Sequence, residues 1–302
     1  MSFDIILLAL VDGVSYAGLL FLVALGLTLI FGVMGILNVA HGALYAFGGY
    51  LASTLVQWAM ASGQAPTVVV VAALLLAAII VGAVVGSILE IGLLQHVQHK
   101  DPILQLLITF GAFLILEDVQ HLIWGSSPYT ASEVVNRFGT VELFGITYTA
   151  YQLLVIPLVA LLIYALLQYA LRYTRIGKQI IAVTHNSEVA TALGIHAKRI
   201  RLVTFVVGAM FGALGGSLAA PTTSLVPGVG TDMIVLSFSV VATAGLGQIT
   251  GALIAALMIG LARALAVYTY PEFEVVVPYL IMVIVLLIRP HGLFTTAQAR
   301  RI

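Results

Sequence analysis

Apolar runs of about 20 residues, each long enough to cross a bilayer as a helix, alternate with short polar breaks along this chain. The runs predict spans at about 10–32, 40–59, 67–95, 103–124, 150–171, 202–220, 233–246, 251–268 and 275–289. The run near 233–246 is short. It reads either as half of a discontinuous helix or as joined to its neighbour through Gly245 and Gly247, so the pattern allows about eight to ten crossings. The period-two alternation of a membrane barrel is not seen. The expected fold is an all-α polytopic bundle, a single transmembrane domain over residues 1–302 with a cytoplasmic segment at 172–201.

The first informative interruption lies in GLTLIFGVMGILNVAHGALYAFGGY, Gly26 to Tyr50. A polar side chain at membrane depth must find a hydrogen-bond partner, and backbone that leaves the helix there needs protein or water around it. Asn38 and His41 therefore predict a broken helix, with Asn38, His41 and Gly42 as candidate pathway or gating residues. The same spacing also fits a short polar turn between two spans at the membrane surface. Beyond the break, Gly42, Ala46, Gly49 and Ser53 share one helical face, where a neighbouring helix can approach closely. Gly82 and Gly86, stepping on to Glu90, form a second such face, and Gly208, Gly212 and Gly216 a third.

Composition narrows the class. With 62% hydrophobic and 8% charged residues, against roughly 25% charged in soluble domains, a soluble globule is excluded, and the lipid bilayer is the expected surrounding. Zero net charge without a basic patch argues against nucleic acid. Cysteine is absent, so there is no disulfide framework and no thiolate metal site. His96, His99 and Asp101 have a spacing that could hold a metal, but in a turn they read as polar surface; no metal or cofactor is expected. MSFDIILLALVDG lacks the basic start of a cleaved signal peptide and reads as mature sequence.

Charge placement sets the orientation. Six of the twelve Lys and Arg residues lie between Arg172 and Arg201, Lys100 follows the third span, and Arg289, Arg300 and Arg301 follow the last. The positive-inside rule makes these segments cytoplasmic, with the N-terminus outside and the C-terminus inside. The opposite side carries Glu133, Glu142, Asp232, Glu272 and Glu274 with a single Arg137, and Glu117 and Asp118 are expected near its interface. There the polar stretch from about Gly125 to Thr149 either packs over the bundle or receives a soluble partner. Arg263 lies well inside a span; unpaired it would cost about 3 kcal/mol, so it needs a partner, water or a route to the interface. Glu90 reads as an interfacial or paired charge, with a proton relay as the other reading.

On the basic side one segment has its own helix signals. Asn186 can cap a helix with Glu188 in its first turn, and Gly194 can close it. The enclosed Ser187 to Leu193 makes about two turns, with Val189, Ala190, Ala192 and Leu193 as a small apolar surface. So short a helix is not stable alone in water and must dock on something. One reading lays it on the bilayer or on its own bundle. The other inserts it into a soluble partner, making Asn186, Ser187, Glu188, Ala190, Leu193 and Gly194 coupling residues.

No phosphate-binding GxxxxGK[ST] pattern is present; GVGTD at Gly228 has one residue too many for a GxGD protease motif, and GLGQITG follows a membrane span rather than a strand. The Gly26–Tyr50 stretch, the Arg172–Phe205 segment, GLGQITGALIA and the terminal RPHGLF together resemble the permease family of branched-chain amino acid ABC transporters, in the shorter of its two permease types. The similarity extends over nearly the whole chain, and NxxHG, here Asn38 to Gly42, is fairly specific for this branch as opposed to its sugar-transporting relatives. The family often has Gly-Gly-x-Gly-Ser where this chain has Ala244, Gly245, Leu246, Gly247 and Gln248.

The resemblance implies a non-enzymatic transport subunit of the bacterial inner membrane. Its implied partners are cytoplasmic ATP-binding subunits, a second related permease subunit and a periplasmic or extracellular solute-binding protein. A urea, amide or sugar permease of the same superfamily is the alternative within the family. Outside it stand an ion-coupled secondary transporter, for which mid-membrane ionisable groups are few, and a membrane-embedded protease, for which a catalytic Asp pair is missing.

Overall fold

A computed structural model of the chain describes residues 3–294, apart from 62, 64, 99 and 144, with side chains from residue 5 onward. Arg300 and Arg301, part of the orientation argument, and His99 of the candidate metal cluster lie outside the described residues. The order is α1 (Phe3–Met34), α2 (His41–Met60), then α3 (Thr67–Leu89) running through a π-turn at Glu90–Leu94 into α4 (Gln95–Val97). Next come α5 (Pro102–Trp124), α6 (Glu133–Arg137), β1 (Thr140–Leu143) and β2 (Ile146–Thr149). A π-turn at Tyr151–Val155 leads into α7 (Ile156–Tyr173), followed by α8 (Arg175–His185) and α9 (Ser187–Ala192). The chain closes with α10 (Ala197–Ala219), α11 (Val229–Ala244), α12 (Ile249–Thr269) and α13 (Val276–Ile288).

Six helical stretches among the described residues are long and apolar enough to cross a membrane. Beside them stand α2, of 20 residues, and the shorter α11 and α13, of 16 and 13. The core is built around α1, whose residues from Leu19 to Ile30 are buried nearly without exception. The flanking α5 and α7 keep most of their surface outward, as helices facing lipid or another subunit do.

Missing side chains set how closely these helices approach. A Cβ on Gly216 would lie 1.8 Å from the Tyr45 carbonyl oxygen, and one on Gly208 2.7 Å from Ile30. Gly82 and Gly86 face Met210 and Ala209 of α10, so the four-step row of α3 is a seam against that helix. The face expected on α2 is divided: Gly42 meets Gly230 of α11, while Gly49 meets Leu225 and Gly216, and among the α2 glycines Gly48, opposite Ala213, comes nearest to α10. Two helices flanking α2 at an angle each take part of what a sequence pattern treats as one stripe.

One end of the bundle is covered by the segment after α5. Tyr129 and Leu225 exchange backbone hydrogen bonds of 3.0 and 2.8 Å, and Ala131 N–H donates to the Ala220 carbonyl at 3.1 Å. The antiparallel β1–β2 hairpin in this cover turns at Gly145 and departs from the all-α expectation. Its alternation spans four residues a side, too short to register beside runs of 20. At the other end, α8 and α9 fold back on the start of α10 around Val183, Ala190 and Ile200, with Val33 of α1 packed against them. Helix α8 is likewise additional to the sequence reading. The segment expected at 172–201 is narrower in the structure, because Arg172 belongs to α7 and Lys198, Arg199 and Arg201 to α10.

Gly216→Val is expected to destabilise the bundle by about 3 kcal/mol or more through overpacking against Tyr45. Gly111→Val, at a position with nothing within 4 Å, should leave thermal aggregation of the detergent-purified protein unchanged.

Candidate functional site

Helix α1 stops at Met34, and Gly35, at φ +68°, turns the chain out of the helix. Helix α2 begins at His41 beside Val23 and Gly26 of α1. Gly26 lies eight residues before Met34, about 12 Å back along the helix. Residues 35–40 therefore climb back through the protein before α2 starts, and their backbone groups need partners there. Asn38 Oδ1 accepts from Ala40 N–H at 3.1 Å, and Thr109 Oγ1 of α5 accepts from Val39 N–H at 3.3 Å. The first amides of α2 donate to the Asn38, Val39 and Ala40 carbonyls at 3.1–3.3 Å.

The His41 side chain closes this junction. It is fully buried, and its Nε2 donates to the Val23 carbonyl at 3.0 Å. A carbonyl only accepts, so Nε2 carries the proton; Nδ1 has no hydrogen-bond partner among the described residues. The ring lies in a slot left by two glycines: a Cβ on Gly26 would be 2.8 Å from it, and one on Gly212 2.7 Å. Asn38, His41 and Gly42 thus come together at the meeting of α1, α2, α10 and α11. They face inward. Their neighbours Leu37 and Val39 line a largely apolar cavity of about 630 Å³ that also reaches Leu106, Phe238 and Met282.

The second site is α9. Asn186 Oδ1 accepts from Glu188 N–H and Val189 N–H, both at 3.0 Å, which satisfies two of the amides that a helix start leaves open. At the other end Gly194 takes φ +85°, and Ile195 N–H returns to the Ala190 carbonyl at 3.0 Å. Val189 and Leu193, 53% and 78% exposed, point outward one turn apart, with Glu188 exposed beside them. Ala190, expected on that outer surface, is instead buried between Val183 and Ile200, because so short a helix needs one face for its own anchorage.

Arg201 is the connection that the sequence reading missed. Its guanidinium donates to Ser187 Oγ at the start of α9, at 2.7 Å, and to Gln98 Oε1 just past α4. Glu90, at the onset of the π-turn, is buried with neither carboxylate oxygen hydrogen-bonded among the described residues, and the Arg201 charge acts on it. Arg201 precedes Gly208 and Gly212 by seven and eleven residues, which puts it on the packing face of α10. A cation on an otherwise small-residue face was the available signal. Glu117 and Asp118 lie late in α5, partly buried and exposed respectively. No group of three metal-ligating side chains occurs among the described residues.

Residues 9–286 match the family model described as branched-chain amino acid transport system, permease component. The chain belongs to that permease family. The high-affinity branched-chain amino acid transport system permease protein LivH of Salmonella typhimurium is 28% identical over 296 residues, 96% of each chain. BraD of Pseudomonas aeruginosa, described in the same words, is 25% identical over 298 residues, 97% of each. The ribose import permease protein RbsC of Haemophilus influenzae is 26% identical over 252 residues, 79% of this chain and 71% of its own. No solved structure gives a significant match. The chain is accordingly a multi-pass membrane permease and a transport subunit rather than an enzyme.

In this permease Arg201→Ala should speed amide exchange over residues 189–195 by roughly tenfold or more, since α9 loses its charge-assisted tie to α10. Arg201→Lys, which keeps the charge but not the fork reaching both Ser187 and Gln98, should fall between.

Proposed function

We propose that this chain is the membrane-spanning permease subunit of an ATP-driven importer of branched-chain amino acids. ATP is hydrolysed on separate cytoplasmic subunits that seat on α9. The observation that carries this reading is the build of α9: capped by Asn186, closed at Gly194, anchored through Ala190 and Arg201, and presenting Val189 and Leu193 outward. An apolar pair held rigidly on a polar surface suits insertion into a groove of a partner protein.

The solute class follows the family description and the relatives that align end to end, ahead of the ribose permease with its shorter match. In this reading the α8–α9 end is cytoplasmic, the covered end faces a solute-binding protein, and a second related permease subunit completes the pathway in an inner membrane. A push on α9 reaches α10 and the end of α4 through Arg201, and α1 through the Val33 contact. Asn38, His41 and Gly42 then act as the pivot of alternating access, with the glycine seams as surfaces on which helices tilt. Against ion coupling, Glu90 is acted on by the Arg201 charge and Arg263 is paired with Glu274.

Co-purification with the candidate ATPase tests the reading. Wild type and Val226→Asp, at an exposed position of the far end, should retain the ATPase. Leu193→Asp and Gly194→Trp should lose it with the permease still monodisperse. Failure of wild type to hold any ATPase would overturn the coupling role of α9.

A further inference from the structure

A second cavity, of about 290 Å³, opens between the early turns of α1 and the late turns of α12, beneath the loop that follows α10. It lies at the covered end of the bundle. From Asp12 to Val33, which packs against the α8–α9 layer, α1 rises about 32 Å, so cavity and α9 are on opposite faces of a bilayer-thick layer.

Unlike the apolar cavity near Leu37, this one carries charges of both signs. Arg263 of α12 is paired with Glu274 and lies with its guanidinium 4.0 Å over the Tyr16 ring. Asp12 of α1 accepts from the Tyr268 hydroxyl through Oδ2. One hydrogen bond joins the five-donor guanidinium of Arg263 to Glu274, and Arg263 also borders the cavity. Ser15, Gln152, Thr222 and Thr223 add neutral polar groups, while Leu19, Ala264 and Val267 supply an apolar wall. The volume equals the share of roughly ten liquid waters, close to the size of an amino acid of about nine heavy atoms.

We propose that this cavity is a station for a free amino acid, in which Arg263 takes the carboxylate, Asp12 takes the α-ammonium and the aliphatic side chain lies along Leu19, Ala264 and Val267. The inference rests on the amino-acid reading above and adds where on the permease the solute stops. Asp12, Arg263 and Glu274 sum to one negative charge, which disfavours a simple anion and leaves a place for a ligand that brings an ammonium along with its carboxylate. Arg263 meets a carboxylate as a planar fork, and Glu274 takes one of its N–H groups, so the cation stays paired with a carboxylate before and after a ligand arrives.

The absence of cysteine from the chain gives a direct test. Thr223, exposed and bordering the cavity, is replaced in a Thr223→Cys variant, and its maleimide labelling is followed on the permease alone in nanodiscs. Leucine should slow labelling several-fold at saturation. Leucinamide, without the carboxylate, and 4-methylpentanoate, without the ammonium, should need concentrations higher by roughly tenfold or more. Adding Arg263→Lys or Asp12→Asn should weaken protection, read as the ratio of labelling rates with and without leucine so that any change in the thiol's own reactivity cancels. Adding Glu274→Gln should strengthen it, an effect that a merely folding-related role of the pair would not produce. Labelling indifferent to leucine, or protection by leucinamide equal to that by leucine, would overturn the proposal. Loss of ATPase association by wild type would count against the transporter reading and leaves the labelling result to be judged on its own.

Discussion

The arrangement depends on one constraint: backbone that leaves a helix inside a membrane protein must have every polar group answered by protein. Residues 35–40 break the helix and re-enter the bundle; Asn38 and Thr109 accept from their amides, and the buried ring of His41 ties the start of α2 to the Val23 carbonyl of α1. That ring fits because Gly26 and Gly212 leave a slot for it, so the polar break and the small residues of α1 and α10 are one feature. It fixes where α2 begins, and from that start follow the contacts of Gly42 with α11 and of Gly48 and Tyr45 with α10.

The two ends of the bundle are built differently. One is covered by a hairpin and loop tied by the Tyr129–Leu225 pair; the other carries α8 and α9 on a small separate core. Helix α1 passes through the middle and joins both, touching the α8–α9 layer at Val33 and the polar cavity at Asp12. In the proposed mechanism this stiff helix, gripped at both ends, is the mechanical link between them, and close backbone contacts at glycines shift without unpacking large side chains.

Much of this was legible in the sequence. Long apolar runs located most helices to within a few residues, because lipid and core impose the same requirement along the whole run; α1 and α10 begin earlier than expected, at Phe3 and Ala197. The ends of α9 were readable from Asn186 and Gly194, since capping chemistry is local. The partner of Arg263 was not. Glu274 lies eleven residues on, beyond the end of α12, and only the fold places it there. The burial of Ala190, the hold of Arg201 on Ser187 and the slot around His41 were also out of reach, because each depends on which helices become neighbours. Glycine patterns showed that α2 would be approached closely but not that two helices would share the approach.

In the proposed mechanism the chain moves its solute only when a partner ATPase acts on α9. Uptake of radiolabelled leucine into proteoliposomes holding the permease, its ATPase and the solute-binding protein measures this most directly. Uptake should require ATP and the ATPase and persist when ion gradients are collapsed. Uptake by the permease alone, driven by a proton or sodium gradient, would contradict it.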